Sequence, residues 1–198
     1  MRTITTALTT MAVFSDDGLR RFLLNKQWDI NKPKMAIIML CPSSAADVEI
    51  DSTSMLCLNN AFQLGYGSIA IMNLFATVND FALRQSEPED PDNLNAILSA
   101  VQDADCVVYA PGTGKAKNKV FQHRQEQVLS ALRPIEGKLH CLCNEDGNAR
   151  LQHPLSPAVR IWHLSPLKIS ELIVETIQPE PEPKKKSRPK VTKKETTN

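Results

Sequence analysis

The stretch Met35-Ala-Ile-Ile-Met-Leu-Cys41-Pro42-Ser43-Ser44-Ala45-Ala46-Asp47 decides the fold. Its first seven residues are apolar without interruption, the pattern of a strand buried on both faces, and the Pro-Ser-Ser that follows makes a sharp polar turn. Two later segments echo it, Ile69-Ala-Ile-Met-Asn73-Leu-Phe75-Ala-Thr77 and the Pro-braced His153-Pro154-Leu155-Ser156-Pro157. Open parallel sheets gather ligand-binding groups just past their strand ends, so a site is expected where these three places meet.

Outward from Met35, the chain alternates strand and helix signals. Thr3 to Phe14 alternates polar and apolar residues, Ser15-Asp-Asp-Gly18 reads as a turn, and Leu19 to Trp28 reads as the returning strand of a hairpin, with a helix over Leu19 to Asn25 as the competing reading. Asp51-Ser-Thr-Ser54 has the composition of a helix N-cap, and Met55, Leu56, Leu58, Ala61, Phe62 and Leu64 continue as a helical stripe to Gly65. Ser68 to Phe75 is a second buried strand, Leu94 to Val101 a helix, Asp105 to Ala110 a third strand, and Lys138 to Cys143 a fourth. A long helix from the Pro111-Gly-Thr-Gly114 loop to about Arg133 separates the last two strands, and Ser165 to Ile177 reads as a final helix. The expectation is one α/β domain over residues 1–178: a three-layer sandwich with a four-stranded, mainly parallel sheet and an N-terminal β-hairpin.

Residues 179–198 have a different character. They carry seven Lys or Arg against three Glu, a net +4, whereas the rest of the chain carries sixteen basic and nineteen acidic residues, a net −3. With almost no apolar side chain to offset the entropy of ordering, this tail is expected to be disordered. Lys184, Lys185, Lys186 and Arg188 read either as a salt-sensitive tether to nucleic-acid phosphates or as a solubilising terminus.

Composition narrows the classes further. The longest apolar run falls far short of the roughly 20 residues of a membrane span, and the N-terminus lacks the apolar centre of a signal peptide, so a cytoplasmic protein is expected. Five cysteines, an odd number lying mostly in strand-like segments, read as thiols. Cys141-x-Cys143 has no second Cys/His pair at a zinc-like spacing, and no metal or cofactor is expected.

The Gly112-Thr-Gly-Lys115 loop invites a phosphate-binding reading, but a P-loop would need Gly at Tyr109 and Ser or Thr at Ala116. Anion contact by Lys115, Lys117 or Lys119 is the residual functional reading, and a solvated helix start the plain one. In the first turn, Ser43 and Ser44 offer hydroxyls and N–H groups behind the rigid Pro42, while Asp47 and Asp51 would orient a water or cap the helix. Asn73 on its apolar strand needs partners; it would read the edge of a nucleobase, with Phe75 as a stacking face, or hold a neighbouring loop. His153, braced by two prolines beside Ser156, is placed to donate to developing negative charge. His123, His140 and His163 read as surface or strand positions.

At these residues the chain resembles a family of small bacterial and phage proteins of unknown function. Its pattern is an Asn-Pro-Ser-x-Ala-Asp loop, Asp-x-Thr opening a helix, Gly-Tyr-Gly, Asn-Leu-Phe, a strand ending near Trp-Gly, and His-Pro-Leu. The corresponding pieces here are Cys41 to Asp47, Asp51-Ser-Thr53, Gly65-Tyr-Gly67, Asn73-Leu-Phe75, Tyr109-Ala-Pro-Gly112 and His153-Pro-Leu155. The same order is similar to that of the uracil-DNA glycosylase superfamily. That resemblance implies a glycosylase-like fold in which Cys41, Pro42, Ser43 and Ser44 form the water-side loop. Asn73 would be the base reader, His153 to Ser156 the loop that stabilises the departing base, and Asp47 or Asp51 the holder of water. The chain departs from the pattern at Cys41, where the family has Asn, at Met55 and Leu56, where it has Arg, and at Tyr-Ala-Pro-Gly in place of Trp-Gly. The expected function is therefore nucleic-acid- or nucleotide-directed, a divergent base-excising hydrolase. The second reading is a non-catalytic phage or mobile-element accessory that binds DNA, a nucleotide or a host protein. A third, a hydrolase with Cys41 as nucleophile, needs a His beside that thiol.

Overall fold

The computed structural model describes residues 1–45, 48–87 and 89–177. Its centre is β3 (Lys34–Met39), apolar at every position after Lys34 and buried on both faces. β4 (Ser68–Asn73) pairs with it in parallel on one side and β5 (Cys106–Tyr109) on the other, and β6 (Leu139–Cys143) continues in parallel beyond β5. These are the four strands expected from the sequence, but they are only the middle of a larger sheet. β1 (Thr9–Phe14) and β2 (Arg21–Gln27) form the antiparallel hairpin, and β2 pairs antiparallel with β4, while β7 (His163–Pro166) pairs antiparallel with β6. The sheet is thus mixed and seven-stranded, in the order β1-β2-β4-β3-β5-β6-β7. A four-stranded sheet was too small an expectation because edge strands are short and half-solvated, and β7 hides in a segment that reads as helical from Ser165.

Alternation along the strands sorts the core into two layers. Ala36, Ile38, Ala70, Met72 and Val107 face α2 (Pro91–Gln102), α3 (Lys119–Leu132) and α4 (Ile169–Ile177). Met35, Ile37, Ile69, Ile71 and Val108 face α1 (Ser52–Gln63) and the segment carrying Val159 and Trp162. α4 starts at Ile169, four residues later than expected, because Ser165 and Pro166 belong to β7.

Local chemistry fixes the joints that aim the loops. The Asp51 carboxylate accepts from the Ser54 N–H and caps α1. On the inner side of α1, the Asn60 amide donates to Leu56 O and Arg160 O and accepts from the Trp162 N–H, tying the 160–162 segment to the helix. Gly67 is required by close approach: Trp28 and Asp29 donate to its carbonyl, and a Cβ there would lie 2.0 Å from Asp29 O. That contact seats the hairpin against β4.

Candidate functional site

Connections leave β3 toward β4 and leave β5 toward β6, so the chain diverges in opposite directions at the C-terminal ends of these neighbouring strands. A crevice is expected at such a switch point. A cavity of about 400 Å³ lies there, lined by Met39, Leu40, Cys41 and Ser43 and by Asp51 to Ser54, with Arg21, Phe81, Pro111, His153 and Leu155. Cys41, Ser43, Asp51 and His153, distant in sequence, thus share one hollow.

Ser43 and Asp51 form the electrostatic hinge of its wall. The Ser43 hydroxyl donates to one Asp51 oxygen and the Ser54 N–H to the other. Burial works against the charge on Asp51, but these bonds, that of the Ser54 hydroxyl and the nearby Arg21 guanidinium outweigh it and hold the carboxyl below its usual range. Asp51 is therefore a carboxylate at neutral pH, and it caps α1 while facing the cavity.

His153 stands opposite in chemistry. Its Nδ1 accepts from the Leu155 N–H at 3.2 Å, which assigns the neutral ring's proton to Nε2. Burial lowers its pKa, with the Asp51 charge pulling the other way, so the imidazole is neutral at pH 7 and a donor through Nε2. Its loop is closed by Ser156, whose N–H donates to His153 O and whose hydroxyl donates to Gln152 Oε1 at 2.8 Å. Ser156 braces the loop and does not line the cavity. Gly112, at φ +79°, lies under the imidazole's root: a Cβ there would meet His153 Cβ at 3.0 Å. The Pro111-Gly112 turn after β5 thereby sets where His153 stands.

Cys41 also lines the cavity, with a buried thiol that the surroundings keep protonated. Burial, with Asp80 adding to it, pushes the pKa up to about 12, and Sγ–H donates to Asp80 O at 3.4 Å. No described His nitrogen is hydrogen-bonded to it, so the partner that a Cys41 nucleophile needs is not in place among the described residues. Its bond joins the Pro42 turn to the loop after β4, where Asn79 N donates to Pro42 O. Asn79 and Leu83, both non-glycine residues at positive φ, flank Phe81 in that loop, and Phe81 is 54% exposed at the cavity. The Asp80 carboxylate holds the turn by accepting from Arg84 N, Gln85 N and Ser86 Oγ.

The remaining expected residues lie elsewhere. Ser44 is exposed and Pro42 buried, both off the cavity wall. Phe75 is buried in the core layer beneath α2 and α3, away from the cavity, so it offers no free face there. Asn73 is buried at the end of β4, paired in register with Met39, and neither amide atom has a described partner; its carbonyl accepts from Asn93 Nδ2. Asp47 and the tail residues Lys184, Lys185, Lys186 and Arg188 lie outside the described residues.

Arg21 and Phe81 are the lining residues that sequence reading missed. Arg21 is buried, and its Nη1 donates to Ser43 O and Ala45 O, which clamps the turn after β3 onto the hairpin. An inward-facing charge at the first residue of an irregularly patterned edge hairpin leaves no periodic trace. For Phe81 the available signal was an aromatic in a polar loop, in a chain only 5% aromatic.

Among the described residues, no group of three or more His, Cys, Asp or Glu side chains is arranged to hold a metal, and all five cysteines are free and buried. No described helix is long and apolar enough to cross a membrane. Among curated proteins and solved structures, none matches the chain. A family model described as protein of unknown function (DUF1643) matches residues 21–155, from the buried arginine of β2 to the leucine beside His153, and the chain belongs to that family.

Proposed function

We propose that this protein hydrolyses N-glycosidic bonds in a nucleotide or nucleic-acid substrate held in the cavity between Asp51 and His153. The observation that carries the reading is the pairing of an ionised carboxylate with a neutral, Nε2-protonated imidazole around one hollow of about 400 Å³. That volume suits a nucleoside-sized group, and the wall combines apolar surface from Met39, Leu40, Phe81 and Leu155 with a few polar groups.

In the reaction, the bond between the sugar's anomeric carbon and the base nitrogen lengthens and its electron pair moves onto the base. His153 Nε2–H donates to the base as negative charge grows there. The sugar becomes oxocarbenium-like, a charge that the Asp51 carboxylate stabilises while it orients a water toward the anomeric carbon and accepts its proton. Ser43 fixes the carboxylate, Ser156 fixes the imidazole loop, and Asp47 is the alternative to Asp51 as the group that holds the water. In DNA the base would have to turn out of its stack, passing the exposed ring of Phe81. Asn73 and Phe75 then act through the wall that they support, and Lys184, Lys185, Lys186 and Arg188 tether the phosphate backbone.

The test is incubation with uracil-containing and otherwise modified single- and double-stranded DNA, and with free nucleotides, followed by assay for abasic sites and released base. Release should fall about 10²-fold or more in His153→Ala and in Asp51→Asn. No release from any substrate refutes the hydrolase. One observation favours the second reading, a non-catalytic binder: Cys41, at the head of the turn, carries a thiol held neutral by burial and bonded to Asp80 O, and so supplies neither base nor nucleophile. Salt-sensitive binding without cleavage would establish that alternative.

A further inference from the structure

Arg21 is only 2% exposed, yet among the described residues its guanidinium forms no ion pair and its Nε–H has no hydrogen-bond partner. Burial lowers its pKa, but from so high an ordinary value that it remains a cation. A buried charge with an unmade hydrogen bond is costly, and natural structures retain one where something else completes it. Two bonds to the carbonyls of Ser43 and Ala45 position the group, and the nearby Asp51 carboxylate acts on it through space but is itself held by Ser43 and Ser54 and makes no ion pair with it.

The same wall carries the start of α1. Asp51 satisfies the third N–H of that helix through its side chain and the Met55 N–H through its carbonyl, which leaves the N–H groups of Ser52 and Thr53 among those without an intrahelical partner. Ser52 and Thr53 line the cavity alongside Arg21. Asp51 is the one described carboxylate in the lining, and both of its oxygens already accept, from Ser43 and Ser54.

We infer that Arg21 and the first turn of α1 form a subsite for a phosphoryl group. The guanidinium supplies the charge and a fixed fork of donors, and the Ser52 and Thr53 N–H and hydroxyl groups close round the remaining oxygens. The bound group is either the 5′-phosphate of a mononucleotide or a backbone phosphodiester, chemistry that the two ligands share. The inference rests on the nucleotide-directed reading for the identity of the rest of the ligand, and the phosphoryl site itself is testable without it.

Inorganic phosphate, against chloride at equal ionic strength, should raise the melting temperature of the full chain, and the rise should vanish in Arg21→Met. Because Arg21 also clamps a turn, Ser52→Pro provides the second variant. Proline is accepted at the first helical position, and Asp51 at φ −72°, ψ 167° already has the backbone that precedes proline, so the substitution removes one N–H and one hydroxyl while keeping the helix. Thr53→Val removes the other hydroxyl.

Calorimetry should then show a deoxynucleoside 5′-monophosphate, or an unphosphorylated oligonucleotide, binding about tenfold tighter than the deoxynucleoside, with that advantage lost in Ser52→Pro. A stronger mononucleotide identifies a monoester site and a stronger oligonucleotide a diester site. A phosphate effect without nucleoside binding refutes the nucleotide reading and leaves the anion site standing. No phosphate-specific stabilisation of the wild-type chain, or an equal effect in folded Arg21→Met and Ser52→Pro, overturns the inference.

Discussion

Two arginines are buried in this protein to nearly the same depth, Arg124 at 0% and Arg21 at 2% exposed, and they end in opposite conditions. On the α3 side of the sheet, each Arg124 nitrogen has an acceptor: Nε bonds Leu74 O at 2.8 Å, Nη1 bonds Gln127 Oε1, and Nη2 bonds Asp90 O at 3.4 Å. Asn93, donating to the carbonyls of Asn73 and Leu74, completes that tie between β4 and its helices. On the α1 side Arg21 is left with an unmade bond, at the edge of a hollow. Equal burial therefore does not mean equal purpose. A charge with an acceptor at each nitrogen fastens the fold, and one left short beside a cavity is the feature on which the proposed phosphoryl subsite rests.

The largest test of that contrast is stability. Arg124→Met, which deletes the hydrogen bonds to Leu74 O, Gln127 Oε1 and Asp90 O, should cost about 3 kcal/mol in chemical denaturation, and Arg21→Met about 1–2 kcal/mol for those to Ser43 O and Ala45 O. The reverse ranking would show that Arg21 is the structural tie and remove the contrast. Gly112→Ala should cost about 1–2 kcal/mol, because it combines strain at φ +79° with contact on His153 Cβ, and it should shift the His153 ring resonances in NMR. Unchanged resonances would free His153 from the Pro111-Gly112 turn.

Titration sharpens the cavity side. A histidine whose pKa falls on folding adds stability that is fully present above its unfolded value, about 6.5, and is lost as pH falls from there through the folded pKa. Asp51, also lowered, adds stability present above about 3.9 that is lost as pH falls through its folded pKa. Stability should therefore decline in two acidic stages, and His153→Gln should remove the upper one. If that stage persists in His153→Gln, another group is responsible. The smallest expected effect is at Cys41: Cys41→Ser should change stability by less than about 1 kcal/mol, and the native thiol should react slowly with iodoacetamide at pH 8, since its pKa is near 12. Rapid alkylation would reinstate a reactive cysteine on the cavity wall.

How much was legible in advance depended on whether the signal was local. The four central strands could be read because double burial demands unbroken apolar runs, as in Met35 to Met39, and the Asp51 cap because capping needs only neighbours. The exposed edge β7 could not, since its four residues are half-buried or exposed and end in Pro166. Phe75 illustrates the same limit. Its spacing from Asn73 put both on the strand's end, but the backbone leaving β4 turned Phe75 into the core while the loop beyond brought Phe81 to the hollow.

The sequence by itself determined the α/β alternation, the parallel centre and the polar turns at Cys41 to Ser44 and His153 to Ser156, because apolar runs, caps and prolines act over a few residues. Only the tertiary structure decided which of those turns share a cavity and which arginine is left unsatisfied. Those outcomes depend on strand order and on hydrogen bonds between residues far apart in the chain, such as Arg21 with Ser43 and Gly112 against His153, and no local pattern encodes them.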